Sequence, residues 1–238
     1  HVEAREGSRS RTHSCIERSG VRMGRLHDRL EWSGNEDGPI SMKHTTALIL
    51  CGGLGTRLRP WTYFTPKPLL KVGGKCVIDY IWRRLVDQDI LDIYMDVHYL
   101  AWKIIRHVGW RAKFSYGPSL LGTAGAIGPV LSAMSDPFFV LNGDTITNVN
   151  FKNMLRCHQE GIMTIFTKDT AVHNGGVFLI DKNLAWNFCF REASLHEDVI
   201  PSLPKESIQL FDEPDSYYFD IGTPEKLKKA RQFFGHQN

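Results

Sequence analysis

This sequence has no long hydrophobic run, no paired-cysteine motif and no block of one charge. Its 238 residues include 29 Lys and Arg against 26 Asp and Glu, a balance too even to indicate nucleic-acid binding. No stretch approaches the roughly 20 apolar residues of a membrane-spanning helix, and no segment resembles a signal peptide. The five cysteines form no Cys-x-x-Cys pair, so we expect reduced thiols in a cytoplasmic protein.

The first 41 residues differ in composition from the rest. They mix Arg, Ser, Gly and Glu with few aliphatic residues and no steady period, which is typical of a segment that cannot bury enough apolar surface to become ordered. The chain begins with His1, whereas Met42 leads directly into an apolar run. We therefore expect residues 1–41 to be a disordered or non-native extension and residues 42–238 to be the functional domain. A basic arm that binds a partner is the alternative.

The remaining sequence is rich enough in apolar residues to form one sizeable core, since 42% of the chain is hydrophobic. Strand patterns occur at 47–50, 91–97, 112–116, 137–141, 162–167 and 176–180, and helical patterns at 76–88, 99–108, 124–134, 150–160 and 224–234. This alternation predicts an α/β fold, Rossmann-like, with a mostly parallel sheet between two helical layers.

A glycine-rich segment follows the first predicted strand. Residues 52–60 read Gly-Gly-Leu-Gly-Thr-Arg-Leu-Arg-Pro, and residues 65–70 read Thr-Pro-Lys-Pro-Leu-Leu. Three glycines in four positions allow the backbone to turn several N–H groups toward one phosphate, and Arg57 and Lys67 add full charges. The segment lacks the third glycine of a dinucleotide-binding motif and the Gly-Lys-Ser/Thr of a Walker loop. A plain turn with two solvated basic residues is the alternative.

Further segments make the pattern more specific. They are Leu121-Gly122-Thr123-Ala124-Gly125-Ala126, Leu141-Asn142-Gly143-Asp144, Asn174-Gly175-Gly176 and Asp220-Ile221-Gly222-Thr223-Pro224-Glu225. Together with the glycine-rich segment, they resemble the sugar-1-phosphate nucleotidyltransferases, also called nucleotide-sugar pyrophosphorylases, whose signature reads GGxGTRLxP, then PKPLL. The stretch from Asp96 to Ala101 looks most like the mannose-1-phosphate and heptose-1-phosphate guanylyltransferases of that family.

The resemblance implies that the protein transfers a nucleotidyl group from a nucleoside triphosphate to a sugar 1-phosphate and releases pyrophosphate. It favours GTP and leaves UTP, CTP and dTTP open. It also implies small-molecule substrates, no nucleic-acid or membrane partner, and leaves a homo-oligomer open.

The same resemblance assigns residues to roles. It implies catalytic roles for Arg57 and Lys67, and Mg²⁺ binding by Asp144 and Asp220. It implies nucleotide binding by Leu50, Gly52, Gly53, Gly55, Thr56, Gly122 and Thr123, and sugar binding by Asn174 and Gly175.

Each assignment has a simpler alternative when its residue is taken alone. An Asp that follows Gly is commonly a turn or N-cap residue, which is the alternative for Asp144. Thr123 could cap a helix while also contacting a base. Asn-Gly-Gly at 174–176 is typical of a hairpin turn.

The sequence departs from the family pattern in two places. The family commonly carries a Glu or Gln just before the base loop, where this chain has Gly117. A Glu-Lys-Pro motif that contacts sugar and phosphate is absent throughout the chain. We hypothesise that Lys168 supplies the missing charge near the sugar phosphate, and a solvated turn is the alternative.

The absent motif also keeps a second function class open, a regulatory subunit that binds sugar nucleotides and has lost catalysis. That class is disfavoured because the chain has all four of the residues expected for catalysis and metal binding, Arg57, Lys67, Asp144 and Asp220. A dinucleotide-dependent oxidoreductase is disfavoured, because Arg57 lies near the position of the third glycine.

Overall fold

The structure is a computed structural model that describes residues 14–17, 42–117, 119–168 and 175–235. Within these residues the strands are β1 (Ser14–Glu17), β2 (Thr46–Leu50), β3 (Lys71–Val72), β4 (Lys75–Cys76), β5 (Asp92–Asp96), β6 (Lys113–Ser115), β7 (Phe138–Asn142), β8 (Thr145–Thr147), β9 (Met163–Thr167), β10 (Val177–Ile180), β11 (Ile208–Asp212) and β12 (Tyr218–Asp220). The helices are α1 (Val77–Val86), α2 (Ala101–Val108), α3 (Gly122–Gly125), α4 (Phe151–Cys157), α5 (Lys182–Trp186), α6 (Ile200–Ser202) and α7 (Pro224–Gly235). Short 3₁₀ helices include Thr56–Leu58, Trp61–Tyr63, Lys67–Leu69 and Gly128–Ala133.

Eight strands form the central sheet in the order β1-β11-β9-β10-β7-β2-β5-β6. Six of them, β2, β5, β6, β7, β9 and β11, run in one direction, whereas β10 and β1 run against their neighbours. The predicted α/β fold with a mostly parallel sheet is confirmed. Because β5 and β7 lie on opposite sides of β2, the strand order reverses at β2. Open α/β sheets bind ligands at such a reversal, outside the carboxyl ends of the strands.

Apolar side chains cover both faces of the sheet. Ala47 and Ile49 of β2 belong to one buried cluster, which also includes residues of α1, α2 and α7. Leu48 belongs to a second cluster, with Ile127 and residues around α5. Successive side chains of a strand point to opposite faces, so this sheet is buried on both sides, as parallel sheets usually are.

The prediction of one helix over residues 124–134 is wrong. α3 ends at Gly125, and a 3₁₀ helix covers Gly128–Ala133. A Cβ atom on Gly125 would lie 2.5 Å from the carbonyl oxygen of Arg191, and one on Gly128 would lie 2.4 Å from that of Cys189. These glycines therefore allow another backbone segment to approach closely, and they weaken a continuous helix.

The pairings of β3 with β4, of β8 with β12 and of β11 with its neighbours were not predicted. β8 and β12 pair as a separate antiparallel ladder, and each has only three residues, too few for a visible alternation of apolar and polar residues. β11 pairs with β9 and β1. β1 lies inside the segment expected to be a disordered or non-native extension. The other residues of 1–41 lie outside the described residues, and the proposed division at residue 42 stays a prediction.

Candidate active site

A cleft of about 340 Å³ opens at the carboxyl ends of β2, β5 and β7. This volume lies at the lower end of the range for small-molecule sites. The cleft takes its walls from the segments that follow these strands, from Lys67 and Pro68, and from the loop before α3. It therefore lies at the reversal of strand order, where the fold predicts a ligand.

The glycine-rich segment turns sharply over one side of this cleft. Gly55 has φ +66°, a left-handed conformation that few other residues adopt. Its carbonyl oxygen accepts a hydrogen bond of 2.8 Å from the buried hydroxyl of Thr62. A Cβ atom on Gly52 would lie 2.7 Å from Asp96 Oδ2. Gly55 is thus required by its backbone conformation, and Gly52 by the close approach of the Asp96 carboxylate.

Lys67 and Asp144 form an ion pair inside the cleft. Lys67 begins a 3₁₀ helix between Pro66 and Pro68, and Asp144 lies in the turn between β7 and β8. The Nζ–Oδ2 distance is 2.9 Å, and the two side chains are only 18% and 19% exposed. The turn is closed by a hydrogen bond of 2.9 Å from Gly143 N–H to the carbonyl oxygen of Leu50. The sheet therefore fixes the carboxylate, and the two prolines on either side of Lys67 fix the backbone that carries the cation.

The β8–β12 ladder brings Asp220 to the same region. Asp220 pairs with Thr145 in the ladder, and the N–H of Ile221 donates a hydrogen bond of 3.0 Å to the carbonyl oxygen of Asp144. The Asp220 carboxylate accepts from the N–H of Gly222 at 2.6 Å. Two carboxylates that are distant in sequence thus lie on adjoining segments.

Arg57 lies beside this second carboxylate. A Cβ atom on Gly222 would lie 3.1 Å from Arg57 Nη2 and 2.8 Å from Asp220 Oδ1, so both groups approach the same backbone position. Arg57 itself is exposed and is absent from the residues that line the cleft. The guanidinium is therefore at the rim, on the side where α7 begins.

The loop before α3 is held against residues 189–195. Gly122 has φ +73°, and a Cβ atom there would lie 2.3 Å from the carbonyl oxygen of Ala193. The hydroxyl of Thr123 accepts a hydrogen bond of 2.7 Å from the N–H of Leu195. These two residues still line the cleft, but the lack of a side chain at Gly122 is explained by the neighbouring backbone.

Two titratable groups in the cleft have shifted proton affinities. Burial raises the pKa of the Cys51 thiol well above its usual value, and the charges of Asp96 and Asp144 raise it further. This cysteine is therefore a neutral thiol and not a nucleophile. Burial also raises the pKa of Asp96 to about 6, although His98 and the N–H of Gly52 act to lower it.

The predicted sugar-binding residues lie farther from the cleft or cannot be placed. Asn174 lies outside the described residues. A Cβ atom on Gly175 would lie 2.4 Å from Ile165 Cγ2, so close packing on β9 explains that glycine. Lys168 Nζ donates a hydrogen bond of 2.6 Å to the carbonyl oxygen of Pro214. Lys168 follows the end of β9, two strands from β7 in the sheet.

The structure thus divides the predicted residues into two groups. The predicted residues that line the cleft are Leu50, Gly52, Gly53, Lys67, Gly122, Thr123 and Asp144. The predicted residues that do not line the cleft are Gly55, Thr56, Arg57, Asp220, Gly175 and Lys168. Sequence reasoning gave no site role to Asp96 and His98, which do line it. Both could have been identified from the sequence as site candidates. They lie at the carboxyl end of a predicted parallel strand, where open α/β sheets bind ligands.

Comparison with known families gives a match to one family model. Residues 46–182 match the model described as nucleotidyl transferase. This range covers more than half of the chain and includes the glycine-rich segment, Lys67, the loop before α3 and Asp144.

Two curated relatives illustrate the sequence similarity. The chain is 38% identical over 153 residues to the mannose-1-phosphate guanylyltransferase catalytic subunit beta of Drosophila melanogaster, a match that covers 58% of this chain and 41% of the relative. It is 28% identical over 211 residues to the D-glycero-alpha-D-manno-heptose 1-phosphate guanylyltransferase of Campylobacter jejuni, covering 75% of this chain and 95% of the relative. The chain thus spans less than half the length of the first of these relatives.

Solved structures share the fold. HddC from Yersinia pseudotuberculosis, solved with GMP-PN, superposes with a TM-score of 0.68 at 24% identity, covering 80% of this chain and 99% of that one. A putative glucose-1-phosphate thymidylyltransferase from Bacillus anthracis gives 0.67 at 19% identity, covering 82% and 96%. Separately, none of the helices in the described residues has the length and apolar character needed to cross a membrane.

Proposed function

We propose, because this chain belongs to the nucleotidyl transferase family, that it transfers a nucleotidyl group from a nucleoside triphosphate to a sugar 1-phosphate and releases pyrophosphate. The observation that carries the proposal is the Lys67–Asp144 pair in a cleft at the reversal of strand order. The guanylyltransferase relatives favour GTP with mannose 1-phosphate or heptose 1-phosphate. The same reaction with UTP, CTP or dTTP is the alternative.

The chemistry of this reaction matches what the cleft offers. The phosphate oxygen of a sugar 1-phosphate is already an anion near neutral pH, so its attack on the α-phosphorus needs no general base. The protein must instead bring two polyanions together and stabilise the charge that develops on the leaving pyrophosphate. We assign Lys67 to the α-phosphate and the N–H of Gly53 to the phosphate chain, because the N–H of Gly52 donates to Asp96.

Asp144 and Asp220 fit a divalent cation, which we take to be Mg²⁺. Both are carboxylates, the ligands this hard cation prefers, and a backbone hydrogen bond of 3.0 Å between Ile221 and Asp144 ties their segments together. When bound, the cation would neutralise phosphate charge. Lys67 holds the Asp144 carboxylate in the cleft through their 2.9 Å contact.

Arg57 is proposed to hold the β- and γ-phosphates from the rim. A guanidinium can donate two parallel hydrogen bonds to a phosphate and remains charged at any working pH. Its exposed position beside Gly222 suits a group that meets the outward end of the triphosphate. Gly55 and Thr56 would shape the backbone that carries it.

The remaining assignments rest on the resemblance to the sugar-1-phosphate nucleotidyltransferases. Leu50, Gly122 and Thr123 would meet the nucleoside, and Asn174, Gly175 and Lys168 would meet the sugar phosphate. We also propose the cytoplasm as the compartment, because both substrates are soluble metabolites.

The proposal is tested by measuring pyrophosphate release with Mg²⁺ across four nucleoside triphosphates and several sugar 1-phosphates. Release that requires both substrates is the expected result. Lys67→Met should lower turnover by at least about a hundredfold, with an unchanged circular dichroism spectrum. Absence of release with every pair, accompanied by calorimetric binding of a sugar nucleotide, would support the regulatory subunit instead.

A further inference from the structure

A carboxylate at one end of the cleft has no role in the reaction described above. Asp96 is the last residue of β5, directly beside β2 in the sheet, and it lines the cleft together with His98. Its backbone position pairs with Leu50, and Leu50 pairs in turn with Asn142 on β7.

The pairing of these strands separates Asp96 from the catalytic end of the cleft. Neighbouring strands lie about 4.8 Å apart, so the backbones of Asp96 and Asn142 are about 10 Å apart. Asp144 follows Asn142 in the turn after β7, and Lys67 pairs with it. The backbone span from Asp96 to Asn142 is comparable to the distance between the base and the α-phosphate of a nucleotide, so a nucleotide whose α-phosphate meets Lys67 can place its base beside Asp96.

Asp96 has more hydrogen-bonding capacity than the protein uses. Its carboxylate accepts a hydrogen bond from the N–H of Gly52, whereas two ionised carboxylate oxygens can accept about four. Within the described residues, no lysine or arginine forms an ion pair with it. Burial raises the pKa of Asp96 to about 6, so near pH 7.5 the protein holds a largely buried, ionised and incompletely satisfied carboxylate.

The surroundings of Asp96 suit a flat aromatic ligand. Leu50, Leu121 and Pro129 supply apolar surface in the cleft. The His98 ring is stacked on Tyr116, with centroids 5.9 Å apart and planes at 11°. Gly117, which lies where the resembled family carries Glu or Gln, has no side chain with which to contact a base.

We propose that the carboxylate of Asp96 selects guanine by accepting hydrogen bonds from its N1–H and its 2-amino group. Among the common bases, guanine alone presents two adjacent N–H donors on its Watson–Crick edge, and a carboxylate accepts both at once. Uracil and thymine present one N–H between two carbonyl oxygens, which a carboxylate repels. Adenine and cytosine present an amino group beside an acceptor nitrogen. This inference rests on the proposed function.

The test compares GTP with XTP, in which a carbonyl replaces the 2-amino group. In the wild-type protein, kcat/KM for GTP should exceed that for XTP by at least about tenfold to a hundredfold, the range for loss of a charged hydrogen bond. Asp96→Asn should lower kcat/KM for GTP by a similar factor. Because its amide can donate to the new carbonyl, the variant should use XTP better than GTP.

Asp92→Asn is the matched control. Asp92 lies on the same strand, pairs with Lys113 at 2.8 Å and lies outside the cleft. It should keep the wild-type preference for GTP.

The outcomes separate this inference from the proposed function. Pyrophosphate release with GTP and an unchanged GTP/XTP ratio in Asp96→Asn would overturn the role of Asp96 and leave the transferase intact. Pyrophosphate release with another nucleotide and not with GTP would also overturn the role of Asp96 and leave the transferase intact. If no nucleotide supports release, the proposed function fails, and calorimetric binding of GTP and XTP to both proteins still decides the role of Asp96: a reversed preference supports it, and an unchanged preference overturns it.

Discussion

Replacement of Asp96 with Asn should make the protein more stable near neutral pH, even though it alters the cleft. Burial raises the pKa of Asp96 from the ordinary value of 3.8 to about 6, and this effect exceeds the opposing effects of His98 and the N–H of Gly52. One pKa unit corresponds to about 1.4 kcal/mol. The ionised carboxylate therefore destabilises the folded protein by about 3 kcal/mol relative to the protonated form.

The sign of the pH dependence follows from which state holds the proton. Below about pH 4, Asp96 is protonated in both the folded and the unfolded protein. Between about pH 4 and pH 6, the folded protein keeps a proton that the unfolded chain has lost, so its stability falls as the pH rises. Above this window the difference is constant. Asn is neutral throughout, resembles the protonated acid in shape, and keeps an oxygen that can accept from Gly52.

Urea unfolding of the wild type and of Asp96→Asn at several pH values measures this effect. Subtraction of the two curves removes the contributions of groups that titrate alike in both proteins. The variant should equal the wild type near about pH 4 and exceed it by up to about 3 kcal/mol near about pH 7.5. A variant that is no more stable at the higher pH, or a difference that grows toward low pH, would refute the reasoning.

Gly143→Ala should lower the free energy of unfolding by about 1–3 kcal/mol, because its Cβ atom would lie 2.7 Å from both Cys51 Sγ and the carbonyl oxygen of Leu50. Gly53→Ala meets no atom within 4 Å and is the control for urea unfolding; equal losses would contradict the packing argument. Thr62→Val removes the 2.8 Å hydrogen bond to Gly55, and should cost about 1 kcal/mol and raise KM for the nucleotide more than it lowers kcat. An unchanged KM would argue against a role for this bond in shaping the loop. EDTA should abolish pyrophosphate release, and Asp144→Asn should raise the Mg²⁺ concentration needed for half-maximal rate; full activity in excess EDTA would exclude the divalent cation.

Local sequence patterns predicted the elements that are long and regular. The apolar run at 47–50 became β2, and the helical pattern at 76–88 became α1, which buries Ile78, Ile81 and Leu85. Lys67 and Asp144 were identified from motifs, and the structure brings them to 2.9 Å. Motif and periodicity thus located the strands and the central ion pair.

Features that depend on long-range contacts were not predictable in the same way. The position of Asp96 in the cleft depends on β5 lying beside β2, and no local pattern gives strand order. The glycines at 122, 125 and 128 looked like a base-binding loop and a helix, but each of them contacts the backbone of residues 189–193. Residues that fit a distant partner carry no local signal of that partner.

The ladder between β8 and β12 also sets the order in which the protein can acquire activity during synthesis. Asp144 leaves the ribosome before its partner segment at Asp220 and Ile221, which follows β11 in the chain. A nascent chain released as far as β11 contains Lys67, Asp144 and the glycine-rich segment, yet lacks the second carboxylate. On the proposed mechanism, such a chain could hold a nucleotide without consuming it.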